Sequence, residues 1–362
     1  LETFNVLMQV FLSFCLSVVP TAAIIWFARG FIPTGASEIS HDYFMVTPLS
    51  EIIWHLALYA FITTWVVIVV TSLLGCLFIR CTAASPGLYP SRGLRGALLL
   101  YRRNEMNRIQ ALWTWTITGQ YLRALAGMRF PRLGASECDV MFNLVPELAS
   151  VDSQVFWSNG CFTNMLDYGA EHIKLRQLDM PRNFFSGNNS VTESGNFPAN
   201  FLLGVSTPGS DILFRRQMRT RFGEAITVAG NPPLKFASAS FEAENETHRL
   251  PGFPLFLTRV FLNDLFSIGV LRITEGLIFV LLYSCLLRLG GHPVASAVIA
   301  LVLTEVNLLL LCVAVKRSLV GSKWGADHAT PFWSWRHFSY FFAQDCFFIW
   351  CRGPLGFCAG TI

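Results

Sequence analysis

The sequence predicts an α plus β membrane protein in which four transmembrane helices, in two pairs, flank a left-handed parallel β-helix of hexapeptide repeats. Three observations support this fold class. The 362 residues are 53% hydrophobic and only 14% charged, which is too apolar for an ordinary soluble domain. Long apolar runs occur toward both ends of the chain, and a six-residue spacing of inward-pointing residues occurs between them. Trp-rich interfacial elbow helices are expected beside each helix pair.

The first helix pair is predicted within residues 1–80. The apolar runs 5–27 and 52–79 are each long enough to cross about 30 Å of hydrocarbon as a helix. Pro20 is expected to kink the first of them. The connecting loop has Arg29 as its only basic residue, whereas arginines crowd the residues after 80. Because basic loops stay in the cytoplasm, this pattern predicts a multi-pass protein whose β-helix lies on the cytoplasmic side.

The first elbow is predicted at 81–132. Trp113, Trp115 and Tyr121 stand among apolar residues and isolated arginines, a mixture too polar to span a membrane. Such a composition is typical of a helix that lies in the headgroup region, with its apolar face in the lipid and its guanidinium groups at the phosphates. The alternative is a soluble amphipathic helix that packs on the next domain.

The β-helix is predicted at 133–236. In a hexapeptide β-helix each short strand contributes one side chain to a shared core, and Gly, Asn, Asp or Ser occupy the tight corners. The Pro-Pro pair near the end of this segment fits a chain that leaves the sheet, since proline donates no backbone hydrogen bond. An irregular loop domain is the alternative. The inward positions are Met180, Ser186, Phe197 and Leu203, with Val151 and Trp157 in register upstream.

The remaining parts follow the same plan. A polar linker is predicted at 237–264, and the second helix pair at 265–317, with spans at 265–289 and 293–315. A second elbow is predicted at 318–362, because its Trp-x-Trp pattern repeats that of the first. The chain is therefore expected to be a segment of a larger protein in which another β-helix follows.

Cysteine usage and charge exclude several classes of function. The ten cysteines form no CxxC pair and no metal-ligand spacing with histidine, so free thiols in a reducing compartment and no metal site are expected. The net charge of +4 is spread over loops, and no nucleic-acid-binding motif occurs. The lipid bilayer is thus the expected partner, and nucleic acid is not.

The order of these parts resembles the carboxy-terminal membrane region of poly-amino-acid nonribosomal peptide synthetases of the ε-poly-lysine type. The resemblance covers nearly the whole chain, and in that family the β-helix domains are similar to hexapeptide acyltransferases. The motifs that carry it are PFWSWR at 331–336, FNLVPEL at 142–148, GNNSV at 187–191, LLGVSTP at 202–208 and GNPPLKF at 230–236.

This resemblance implies a membrane-embedded condensing region. It implies upstream adenylation and carrier domains and further tandem β-helix domains as partners. The implied reaction joins an aminoacyl thioester, linked to the phosphopantetheine of the carrier, to an amino acid or growing chain by an amide bond. No cofactor is expected to bind directly, and the segment alone is expected to be inactive.

Amide formation requires a base, because an ammonium group is not nucleophilic, and histidine is suited to this role near neutral pH. His172 is the candidate base, with Asp167 and Glu171 as candidate orienting groups. Asn188 and Asn189 are candidate donors for the oxyanion. The alternative for His172 is a solvated or lipid-facing loop histidine.

Three other interpretations stay open. Asp152 and Asp179, together with Asp167 and Glu171, either line a path for a cationic substrate or are ordinary surface charges. A standalone membrane acyltransferase would use His172 on a coenzyme A thioester. A non-catalytic protein would use the strands as a scaffold and the helices as a conduit for product export.

Overall fold

The computed structural model describes helices toward both ends of the chain and short strands between them. The chain divides into two compact units, the first made of Leu1–Val19 with Val70–Leu250 and the second of Pro20–Val69 with Pro251–Ile362. The described residues are 2–29, 47–113, 116–130, 137–138, 140–152, 155–158, 160–192, 197, 199–209, 226–230, 234–236, 272–321, 335–336, 339–340, 342–343 and 346.

Seven α-helices occur among these residues, and a π-helical turn, Phe14–Val18, joins the first two. Long runs without Gly or Pro favour the helical state, and Pro293 opens the last helix at a position where its missing N–H costs nothing. The helices are α1 (Glu2–Ser13), α2 (Val19–Arg29), α3 (Leu49–Cys81), α4 (Leu94–Leu112), α5 (Ile117–Leu125), α6 (Arg272–Arg288) and α7 (Pro293–Leu319).

Two helical segments of the described chain are long and apolar enough to cross a membrane. Val6–Trp26 has 21 residues and a mean hydropathy of 2.0, and Pro293–Leu319 has 27 residues and a mean hydropathy of 2.6. These segments correspond to the first and last of the four predicted spans.

The prediction of four transmembrane helices is wrong for the described residues. The second predicted span lies in α3, whose identified apolar stretch is the shorter Trp65–Cys81. The third is described only from residue 272, as the 17-residue helix α6, which is not among the candidate spans. Residues 265–271 of the third span, the linker at 237–264 and most of the second elbow lie outside the described residues.

Between the helices, the described residues from 137 to 236 form a region of short strands, here called the strand region. Alternation of buried and exposed side chains in these strands matches the two-residue period of β-structure. With β1 (Gly87–Pro90) before them, the strands are β2 (Glu137–Cys138), β3 (Met141–Phe142), β4 (Ala149–Val151), β5 (Phe156–Trp157), β6 (Cys161–Thr163), β7 (Leu166–Tyr168), β8 (His172–Leu175), β9 (Leu178–Met180), β10 (Phe184–Ser186), β11 (Val191–Thr192), β12 (Phe201–Leu203), β13 (Pro208–Gly209), β14 (Ile226–Ala229) and β15 (Leu234–Phe236).

The strands form three sheets with parallel pairing and one antiparallel sheet. The order β15-β14-β12-β10-β5-β2 is parallel except for its β14–β15 pair, and both β13-β11-β6-β3 and β4-β9 are parallel. The hairpin β7–β8 stands apart from these, because β8 pairs antiparallel with both β7 and β1. Aromatic rings stack along the parallel sheet, as in Phe156 over Phe185 at 4.8 Å between centroids.

These pairings, together with the two apolar helices, overturn the predicted fold class of four transmembrane helices around a left-handed hexapeptide β-helix. A regular β-helix of uninterrupted coils would pair its residues at a constant interval. The observed intervals differ at every step, since Phe156 pairs with both Glu137 and Phe185, and Phe185 pairs in turn with Leu202. The sheets also mix parallel and antiparallel pairs.

The predicted interfacial elbow at 81–132 is also corrected. Trp113, Ile117 and Leu122 are buried in the protein rather than presented to lipid. Arg123 is 1% exposed, and its guanidinium carbon lies 5.7 Å from the ring centre of Trp157 in the strand region. A helix with one apolar face packs equally well on lipid or on protein, and here α5 packs on protein, the alternative that the sequence left open. Trp115 lies outside the described residues.

Candidate functional site

The predicted base, His172, is the first residue of β8 in the hairpin β7–β8. Pro90 is its partner in the antiparallel pairing with β1, and its own carbonyl accepts a hydrogen bond from Gly169 N at 2.8 Å. Its side chain is exposed. Within the described chain no hydrogen bond to the imidazole is found, so its role as a base stays a prediction.

The two predicted orienting carboxylates are engaged elsewhere or exposed. Asp167 lies opposite Lys174 in the hairpin, and its Oδ2 accepts a hydrogen bond from Arg176 Nη2 at 3.3 Å. Glu171 has an exposed side chain, and its backbone carbonyl accepts a hydrogen bond from Ser91 N at 2.9 Å. Neither carboxylate is hydrogen-bonded to His172 among the described contacts.

The predicted amide donors, Asn188 and Asn189, lie in the turn between β10 and β11 with exposed side chains. Asn189 adopts a positive φ of 55°, a conformation that asparagine tolerates better than most residues. The Asn188 carbonyl accepts a hydrogen bond from Ser206 N at 2.8 Å. The structure therefore shows a turn function for both residues, and their role as oxyanion donors stays a prediction.

A contact with α4 fixes the position of the hairpin. The guanidinium carbon of Arg103 lies 5.2 Å from the centre of the Tyr168 ring, a cation–π arrangement. Burial raises the pKa of the Tyr168 phenol above its ordinary value, and the nearby Arg103 opposes this shift. The hairpin is thus attached at two places, to α4 by this pair and to β1 by its backbone.

The candidate site is a cavity of about 780 Å³ at the sheet β4–β9. This volume is in the range of small-molecule sites. Arg129, Ser150, Asp152 and Asp179 are the polar residues that line it. Apolar residues complete the lining: Ala124, Met128, Phe130, Val151, Met180, Pro181 and Phe197.

Strand pairing places three of the polar residues side by side. Arg129 forms a parallel bridge with Ser150, and Ser150 pairs with Asp179 in the β4–β9 sheet. Laterally paired residues point to the same face of a sheet, and adjacent strands are about 4.8 Å apart. Arg129 and Asp179 are therefore about 10 Å apart at their backbones, with Ser150 between them.

The fourth polar residue, Asp152, lies on the same face, because it follows Ser150 by two positions. Its backbone N donates to Met180 O at 2.9 Å, which continues the parallel ladder. Val151 and Met180, which alternate with these polar residues along the strands, are buried, with 0% and 2% exposure. The alternation of polar and apolar residues thus separates a charged face from the core.

Hydrogen bonds hold Asp179 and the backbone of Arg129 in place on this face. Asp179 accepts hydrogen bonds from Gln177 Nε2 at 3.2 and 3.3 Å, which orient its carboxylate. Val151 N donates to Arg129 O at 2.9 Å and so holds Arg129 against β4. With two carboxylates and one guanidinium, the cavity carries a formal charge of −1 at neutral pH.

Sequence reasoning identified part of this cavity. Asp152 and Asp179 were expected as possible contacts of a cationic substrate, and both line the cavity, whereas Asp167 and Glu171 do not. Arg129 was missed. Its position depends on a β-bridge between residues 129 and 150, and no local sequence pattern predicts such a pairing.

The fold and the cavity define a class only broadly: a strand region with a small-molecule-sized charged cavity, in a chain with apolar helices. No protein-family model matches the chain, and no curated protein matches it significantly. The resemblance to poly-amino-acid synthetases therefore stays a prediction. Among the described residues no group of three or more His, Cys, Asp or Glu that could hold a metal ion is found.

Proposed function

We propose that the cavity binds a basic amino acid and presents its amine as the acceptor in amide bond formation. One observation carries this proposal: Arg129, Asp152 and Asp179 line one cavity, with a cation and carboxylates on the same face of a sheet. The guanidinium would pair with the ligand carboxylate, since arginine binds carboxylates through two parallel hydrogen bonds. The two aspartates would pair with ammonium groups.

Charge balance favours a basic amino acid over a neutral one. A cavity with a formal charge of −1 is neutralised by a ligand of net charge +1, which has one carboxylate and two ammonium groups. Ionic groups that leave water are stabilised only when each of them is paired. The apolar lining, including Phe197 and Met128, would contact the methylene groups of such a side chain.

The reaction proposed around this site is that of a condensing region of a nonribosomal peptide synthetase. The acceptor amine, after loss of a proton, attacks the carbonyl carbon of a carrier-bound aminoacyl thioester. The C–N bond forms and the C–S bond breaks. The base that took a proton from the amine gives it to the departing sulfur, so that phosphopantetheine leaves as a thiol. His172 is the proposed proton acceptor, and upstream adenylation and carrier domains are the proposed partners.

The proposed location is a membrane, with Val6–Trp26 and Pro293–Leu319 as spans. The strand region would lie on the cytoplasmic side, because exposed arginines such as Arg80, Arg92 and Arg95 follow the apolar end of α3. This arrangement would place the cavity in the compartment that supplies free amino acids and carrier-bound thioesters.

Binding of radiolabelled lysine to the full chain in detergent, measured by equilibrium dialysis, tests the cavity. Arg129→Gln should weaken lysine binding about tenfold, which corresponds to the loss of about 1.4 kcal/mol. The same variant should not weaken binding of cadaverine, because this diamine has no carboxylate to pair with Arg129 and is repelled by its charge. Asp179→Asn should weaken the binding of both ligands.

Two matched variants control for the change in net charge. Lys174→Gln and Glu51→Gln alter exposed residues that do not line the cavity, and both should bind lysine normally. Wild-type affinity in both cavity variants would contradict the proposal. In the full-length protein, His172→Ala with undiminished product formation would remove His172 from the reaction without affecting the binding result.

A further inference from the structure

An exposed apolar and basic surface extends from β1 to the first residues of α4 and is here called the 87–95 surface. Leu88 and Leu94 are 68% and 53% exposed, although both are large hydrophobic residues. Arg92 and Arg95 between and beside them are also exposed. Single exposed leucines are common, but two leucines interleaved with two arginines combine groups that favour different solvents.

The 87–95 surface is held in place by backbone and ring contacts. Leu88 is paired with Lys174 in the β1–β8 ladder, and Ser91 Oγ donates to Ala170 O at 3.1 Å. The guanidinium carbon of Arg95 lies 6.0 Å from the ring centre of Tyr89. The exposed leucines therefore occupy ordered positions that are formed before any partner binds.

Two helical segments of the same compact unit, from α3 and α1, also expose apolar side chains. The C-terminal part of α3 exposes Leu73 and Leu77, and the exposed Arg80 lies in its last turn, seven positions before the surface begins. In the same compact unit, α1 packs on α4 while its own Leu7 and Phe11 stay exposed. Apolar surface that ends in arginine is the arrangement found where protein crosses from acyl chains to headgroups.

We propose that the 87–95 surface contacts an anionic lipid bilayer. Leu88 and Leu94 would enter the boundary of the acyl chains, and Arg92 and Arg95 would pair with lipid phosphates. Lys174 adds a third exposed cation. Glu171 and Asp167, which is paired with Lys174, are exposed carboxylates nearby, so three cations face two carboxylates and the surface keeps an excess of one positive charge. This contact does not depend on which ligand the cavity binds.

Site-specific photo-crosslinking of the full chain in lipid nanodiscs tests the contact. The probe, benzoylphenylalanine, replaces Leu88 or Leu94, and the mass of the adduct identifies lipid or protein. In nanodiscs that contain phosphatidylglycerol, both positions should yield lipid adducts, and the yield should fall in pure phosphatidylcholine. Arg92→Gln and Arg95→Gln should each lower the yield by about fivefold at most, the effect of one basic residue at an anionic surface.

Two probe positions serve as controls. Val205, 62% exposed in the strand region, should yield no lipid adduct, and Leu310, 63% exposed in α7, selects the preparations in which the chain is inserted. Equal yields at Leu88 and Val205 would overturn the proposal. Adducts with protein instead of lipid would overturn it as well. So would a yield of lipid adducts that is the same with and without phosphatidylglycerol.

Discussion

At the scale of single residues, the thiol of Cys161 is enclosed by hydroxyl groups in the interior of the strand region. Its Sγ lies 3.5 Å from Ser186 Oγ and 3.6 Å from Ser190 Oγ, and the two serine oxygens are 2.6 Å apart. Burial raises the pKa of the Cys161 thiol above its ordinary value of 9.0, and hydrogen bonds from the serines only partly oppose this. The thiol therefore stays protonated at neutral pH.

Alkylation should distinguish this cysteine from an exposed one. Because the thiolate is the reactive form, Cys161 should react with iodoacetamide at pH 8 at least about tenfold more slowly than Cys81, which is exposed. Peptide mass spectrometry after timed labelling measures both rates in one sample. Similar rates for the two residues in the folded chain would contradict the described burial.

The same raised pKa predicts a pH dependence of stability. The contribution of the neutral Cys161 thiol is fully present below the unfolded-state value near 9.0 and is lost as the pH rises toward the higher folded value. The melting temperature should fall above pH 9 in the wild type. In Cys161→Ser the side chain at position 161 no longer ionises in this range, so the fall in melting temperature should be smaller.

At the scale of elements, an ion pair joins α4 to the strand region. Arg102 Nη2 donates to Glu147 Oε1 at 2.5 Å, and the two side chains are only 5% and 11% exposed. The same oxygen accepts a hydrogen bond from Ala84 N at 2.8 Å. Glu147 thus connects three segments: the chain after α3, helix α4 and the turn before β4.

Removal of one partner should destabilise the protein strongly. Glu147→Gln leaves Arg102 buried without its counter-charge, and we expect a loss of about 3–5 kcal/mol. Thermal unfolding of the chain in detergent, followed by tryptophan fluorescence, measures this. Arg176→Gln, which breaks the exposed pair with Asp167, should cost about 1 kcal/mol or less. An equal loss of free energy of unfolding in the two variants would show that the buried pair contributes no more than the exposed pair.

The strand region also shows which features a sequence can reveal. Asparagine and glycine were expected at tight corners, and the described non-glycine residues with positive φ are four asparagines and one serine. Turn chemistry is local, so it can be read from a few neighbouring residues. The inward positions Met180, Ser186 and Leu203 are buried, although paired strands are not separated by a constant number of residues.

Features that depend on distant contacts were not predictable. The periodicity of α5 indicates one apolar face but not whether lipid or protein covers it, and in the structure Ile117 and Leu122 are buried within the protein. The cavity depends on the pairing of Arg129 with Ser150 and of Ser150 with Asp179. Each of these pairs joins residues far apart in the chain, so their meeting is a property of the fold.

At the scale of the whole molecule, two apolar helical segments have few buried residues. In the apolar window of Val6–Trp26 none of the residues is buried inside the protein, and for Pro293–Leu319 the buried share is 22%. A core helix of a soluble protein would be mostly buried. By length and composition, these two helical segments are candidate membrane spans.

Membrane insertion can be tested on α7. Leu303 and Leu310 are 38% and 63% exposed, and an arginine near the centre of a span costs about 2.5–3.5 kcal/mol. The double variant Leu303→Arg with Leu310→Arg should shift the chain from the carbonate-resistant membrane fraction toward the extractable fraction. Leu303→Phe with Leu310→Phe should behave as the wild type. Complete extraction of the wild-type chain by carbonate would contradict the proposed location.

The pairing of β1 with the hairpin has a mechanical consequence. Each residue from Gly87 to Pro90 faces a partner between His172 and Leu175, so the two strands separate only if the whole ladder breaks. A force applied to the 87–95 surface would therefore be transmitted directly to β8, the strand that carries His172. Force spectroscopy should record the two segments as one rupture event.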